Sequence, residues 1–131
     1  MEQNKIIYKS IVISKVGNNI AVFHMYESSI NDDYSLVLGI STFNEFVGHE
    51  KPKYVVFDKR DLLFDSSNKI QGFLKTQGVD QLIEFGVKRI FFVVSDLRFE
   101  EVGGRYGYRG ISAFKSLEDV LLEIEKEENG S

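Results

Sequence analysis

A mixed α/β sheet with helices packed on it is the fold class this chain predicts, and three observations carry the prediction. Two short apolar runs, Tyr54–Phe57 and Ile90–Val94, have no alternating polar side, as expected of parallel strands covered on both faces. The chain between them is long enough for a crossover helix, so a right-handed β-α-β unit is the expected product. Ahead of them, Ile11–Val16 and Ile20–Tyr26 flank the turn-forming triplet Gly17-Asn18-Asn19 and read as an antiparallel hairpin.

Within the hairpin the first run alternates, with Ile11, Ile13 and Lys15 on one side and Val12 and Ser14 on the other. Asn31-Asp32-Asp33 then supplies an N-cap for a helix reaching about Gly48. Its stripe of Leu36, Val37, Ile40, Phe43, Phe46 and Val47 is spaced to lie on a sheet. Gly39 inside that helix costs up to ~1 kcal/mol relative to Ala, which points to close packing there. Gly48 is read as the C-cap, and Pro52, the only proline, precedes the next strand. After strand Tyr54–Phe57 comes a loop, Asp58–Phe64, and then a helix from about Ser66 whose apolar face is Ile70, Phe73, Leu74, Leu82 and Ile83. Gly78 is placed to kink or split that helix, and Gly86 closes it. Ile90–Val94 is the next strand, Leu97–Val102 one or two helical turns, Gly103–Gly110 a loop, and Ile111–Phe114 a short strand. Ser116-Leu117-Glu118-Asp119 resembles a capping box, and Leu117, Val120, Leu121 and Ile124 make the last helix amphipathic. The expected order is β-β-α-β-α-β-(α)-β-α.

The 131 residues are expected to form one domain, 1–131, with an acidic tail at about 126–131. An apolar fraction of 43%, including 11 Phe and 6 Tyr, supports an ordinary core rather than disorder. No cysteine is present, which excludes disulfides and thiolate chemistry. The segment Met1-Glu2-Gln3-Asn4-Lys5 lacks the apolar core of a signal peptide, and no apolar run approaches the ~20 residues of a membrane span. A cytoplasmic protein is the expectation. Of the net charge of −4, the acids Glu118, Asp119, Glu123, Glu125, Glu127 and Glu128 crowd the last helix beside one base, Lys126. The rest of the chain is nearly neutral. The acidic stretch reads as a solvated face, and no basic surface suited to nucleic acid is evident.

The element order, the junction from strand to loop to Asp65-Ser66-Ser67 to helix, Gly86-Val87-Lys88-Arg89 before an apolar strand, and the closing Phe114-Lys115-Ser116 plus helix resemble the STAS-type fold. That is the fold of the sporulation anti-anti-sigma family, and the likeness spans about residues 8–126. The chain is similar in particular to the looser STAS/SEC14-like bacterial group, many of whose members have no assigned function. In the kinase-regulated members a serine at the start of the second helix is phosphorylated, in a pattern Asp-Ser-Ser-Gly or Asp-Ser-Thr-Gly. Asp65, Ser66 and Ser67 match its first three positions, and the resemblance implies Ser67, or its neighbour Ser66, as acceptor. Asn68 replaces the glycine, and Asp58, Lys59, Arg60 and Asp61 make the preceding loop more charged than that pattern. Both departures place the chain nearer the STAS/SEC14-like group.

For function this leaves a non-catalytic module binding a regulatory protein or small ligand, with a phosphorylation switch and an apolar-ligand carrier as alternatives. The expected binding rim is the carboxyl edge of the parallel strands. It would be formed by Asp58, Lys59, Arg60, Asp65, Ser95, Asp96 and Arg98, with Arg105, Tyr106 and Arg109 reaching over from the glycine loop. Ser66 and Ser67 also serve, in the plainer reading, as helix-capping residues. Asp58–Asp61 has a plain reading too, as a mutually paired, solvated loop. The stripes Phe43/Phe46 and Phe91/Phe92 are more simply core than ligand pocket. His24 reads as a packed or edge residue of a strand and His49 as lying near a helix end; neither has a neighbour at metal-ligand spacing. No hydrolase elbow, zinc-protease motif or phosphate-loop lysine occurs, so no cofactor, metal or catalytic set is expected.

Overall fold

Among the described residues, six strands form one sheet in the order in which they occur in the chain. They are β1 (Glu2–Tyr8), β2 (Ile11–Val16), β3 (Ile20–Tyr26), β4 (Tyr54–Asp61), β5 (Arg89–Val93) and β6 (Ser112–Phe114). β1, β2 and β3 pair antiparallel; β3 to β6 are all parallel. The helices are α1 (Asp33–Glu50), α2 (Gln81–Glu84), α3 (Asp96–Val102) and α4 (Leu117–Gly130), with a π-helical stretch, Leu74–Asp80, leading into α2. This computed structural model describes residues 2–8, 11–26, 33–61, 74–102 and 111–130. The mixed α/β sheet and its β-α units are as expected from the sequence.

The two faces of the sheet are buried differently. On the first face, Phe23, Met25, Val55, Phe57 and Ile90 pack against Ile40, Phe43, Phe46 and Val47 of α1 and against Val79 and Leu82. The rings pack on one another: Phe23 and Phe43 lie 4.8 Å apart, and Phe57 meets both Phe43 and Phe92 edge-on. Each such fully buried side chain stabilises by roughly 2–3 kcal/mol, so this layer is the main core. On the second face, Val22, Tyr54, Val56, Phe91 and Val93 meet Val120 and Ile124 of α4.

Four expectations are corrected. An additional edge strand, β1, precedes the hairpin. Its polar start, Glu2-Gln3-Asn4-Lys5, hides a strand because an edge needs neither face covered, and its pairing with β2 is irregular between Glu2 and Lys5. β4 runs on through Asp58, Lys59, Arg60 and Asp61, which were expected to be loop; ladder pairs His24↔Asp58, Asp58↔Val93 and Tyr26↔Asp61 hold the charged residues extended. Helix α1 passes Gly48 to Glu50, and Lys51 takes the left-handed conformation at φ 51° with its N–H on the Val47 carbonyl. Gly48 instead faces the Phe85 ring, 3.4 Å from where a Cβ would stand. Finally, the acidic stretch 126–131 is helical through Gly130, and two of its carboxylates contact the sheet.

Three other expected boundaries stand as read, while Asn31, Asp32 and Asp65-Ser66-Ser67 lie outside the described residues. Gly17 turns the β2–β3 hairpin at φ 66°. Gly86, at φ 95°, closes α2 in a Schellman motif, its N–H on the Ile83 carbonyl and that of Val87 on the Leu82 carbonyl. Ser116 Oγ accepts the Asp119 N–H at 3.1 Å and starts α4.

Candidate functional site

Asp58 stands opposite Val93, the last residue of β5, while β3 and β4 continue to Tyr26 and Asp61 as a two-stranded ribbon. Alternation along β4 puts Asp58 on the second face with Tyr54 and Val56, and Arg60, in the stretch where the pairing with β3 shifts register, bonds back to it. At that position Asp58 is only 1% exposed. A carboxylate so buried needs partners, and Arg60 supplies a bidentate pair: Nε donates to Oδ1 at 3.0 Å and Nη2 to Oδ2 at 2.8 Å. The Arg60 backbone N–H also reaches Oδ1 at 3.3 Å. His24, the cross-strand neighbour of Asp58 on β3, brings Nδ1 to 3.5 Å from Oδ2. The His24 and Arg60 side chains are 20% and 38% exposed, so the cluster is closed below and open above.

Chemically, the trio offers a fixed guanidinium, a buried acceptor and an imidazole that can donate or accept. Such a set can orient a polar group. Among the described residues no group of three or more His, Cys, Asp or Glu is arranged to hold a metal.

The other residues singled out from the sequence are dispersed, or fall outside the described part of the chain. Lys59 points to the first face, its Nζ 4.2 Å from the centroid of the Phe92 ring. Ser95 follows β5, half-buried, and its carbonyl accepts the Phe99 N–H at 2.9 Å. Asp96 is exposed in the first turn of α3. Arg98 belongs to α3 by its backbone, and its side chain lies outside the described residues. Asp65, Ser66, Ser67, Arg105, Tyr106 and Arg109 lie outside the described residues as well. Phe43, Phe46, Phe91 and Phe92 all have aromatic neighbours in the two cores, in keeping with the packing reading of those stripes. Sequence reasoning missed His24, because pairing it with Asp58 requires the β3–β4 register, and register across a crossover is not written in either strand.

No protein-family model matches the chain, and no curated protein or solved structure does either. Fold and site define a mixed α/β sheet protein carrying a buried charge cluster at the carboxyl end of its parallel strands. Among the described residues, no helix is long and apolar enough to cross a membrane.

Proposed function

We propose that the chain is a non-catalytic, STAS-like module of the bacterial cytoplasm that binds a regulatory protein or small polar ligand at the carboxyl edge of its parallel strands. The observation that carries this reading is the Asp58–Arg60–His24 cluster. A buried ion pair is often no more stabilising than well-packed apolar residues of the same volume, so keeping one here favours a use beyond folding. Its place at the strand ends is where open α/β sheets hold their ligands.

The test is a native mass-spectrometry screen of the purified protein against small carboxylates, phosphates and nucleotides, together with affinity capture of proteins. Whatever binds is then measured against His24→Ala, which removes the member of the cluster that stands outside the bidentate pair. Affinity should fall by about 2 kcal/mol if His24 belongs to the contact surface. Unchanged affinity in His24→Ala, or reproducible turnover of a bound molecule, overturns the proposal.

A further inference from the structure

Helix α4 is seated on the second face of the sheet through a small apolar contact and a charged end. Two of its residues, Val120 and Ile124, are fully buried, whereas Leu122 is 58% exposed. At its far end, Glu128 Oε2 accepts Lys53 Nζ at 2.9 Å and the Tyr54 hydroxyl, and Glu127 accepts Arg89 Nη1. These carboxylates stand in the last turn of the helix, where the negative end of the macrodipole disfavours them. Their position is explained by what they meet on the sheet, not by what they do for the helix. The ion pair with Lys53, and then the Tyr54 hydroxyl, hold the Glu128 carboxyl below its usual range, with Lys88 adding a weaker attraction.

We propose that α4 is a latched strap: Glu127 and Glu128 tie its end to Lys53, Tyr54 and Arg89, and breaking those ties releases the helix as a unit. Release uncovers Tyr54, Val56, Phe91 and Val93 on the face that also carries Asp58, while the first-face core stays packed. A freed α4 does not survive as a helix. Its 14 residues are near the length at which isolated helices are marginal, and its acids repel one another. Opening and melting are therefore one event. Ion pairs at a partly exposed end are screened by salt, so ionic strength shifts the balance between the closed and released states. This inference is independent of what the Asp58 cluster binds.

Hydrogen-exchange mass spectrometry on the whole chain tests it, comparing the wild type with Glu127→Gln/Glu128→Gln at low and high salt. Amides of 117–130 should exchange faster than those of β4 and β5 in the wild type. The double substitution should speed α4 by about tenfold and leave β4 and β5 unchanged. High salt should act like the substitution in the wild type and add little in the variant. Lys53→Gln attacks the latch from the sheet side and should also speed α4; Leu122→Ala, on the exposed side, should not. The idea is overturned if α4 and the strands exchange at one common rate, if the substitutions accelerate both alike, or if Leu122→Ala loosens α4 as much as the latch variants do.

Discussion

Asp58 and Arg60 are two apart on one strand, which lets the longer side chain fold back and grip the shorter. The two partners are not equivalent. Arg60 is partly exposed and can turn to water when its carboxylate is removed, whereas Asp58 has no such escape. Arg60→Ala should therefore cost about 3 kcal/mol, since it strands a buried charge. Asp58→Asn, which keeps the shape and removes the charge, should cost about 1–2 kcal/mol. Urea unfolding of both variants measures the order; equal costs, or a larger one for Asp58→Asn, would show that the carboxylate does not depend on the guanidinium. The charges in Asp58-Lys59-Arg60 marked this segment in the sequence. The burial of Asp58 was not legible, because four successive polar residues resemble a loop unless β3 is known to continue beside them. Nor did residue type reveal that Lys59 lies on the opposite face from Asp58. That follows only once the segment is known to be extended.

Elements were legible at three boundaries that a residue marks by itself. Gly17, Gly86 and Ser116 each mark a boundary by a local conformational or capping property, and each stands where it was expected. Elements defined by partners were harder to read. β1 exists because β2 offers it an edge, and α1 outlasts Gly48 because Lys51, not glycine, adopts the left-handed turn. Two glycines that looked alike in sequence thus have different roles, and alanine should separate them. At Gly86 the φ of 95° is strained for any L side chain although nothing crowds a Cβ, so Gly86→Ala should cost about 1 kcal/mol. Gly48 is helical, and its Cβ would stand in near-ordinary contact with Phe85, so helix propensity should offset the crowding. Gly48→Ala should leave the melting temperature unchanged or raise it. A loss at Gly48 as large as that at Gly86 would mean the Phe85 ring cannot give way.

Across the whole molecule, charge is arranged in a seam along the amino edge of the parallel strands. Lys15, Lys53 and Arg89 lie there, and the helices on the two faces end on them with Glu50, Glu128 and Glu127. Glu50 is held below its usual value of 4.5 chiefly by the hydrogen bond from Lys15, and Glu128 is held below the same value chiefly by Lys53. A carboxyl with a lowered folded pKa is more protonated in the unfolded chain, so its contribution is present above 4.5 and is lost as pH falls through the lowered value. Tyr54 works at the other end of the scale. Burial first, and then its hydrogen bond to Glu128, push its hydroxyl up from 10 to about 12. The folded state therefore keeps a proton that the unfolded chain gives up, and this contribution is complete below pH 10 and disappears as pH rises towards 12. Tyr54→Phe separates the parts of this arrangement, because it retains the ring beside Phe91 and leaves Glu128 its Lys53 partner. At neutral pH it should lower stability by about 1 kcal/mol, the net worth of one hydrogen bond. Above pH 10 the variant should lose stability less steeply than the wild type, and its acid limb should be shallower but still present, since Glu128 loses the Tyr54 hydroxyl while Lys15 and Lys53 are untouched. Chemical denaturation across the pH range reads both limbs in one series. An alkaline limb that persists unchanged in Tyr54→Phe would place the titrating group elsewhere in the seam and remove Tyr54 from the account.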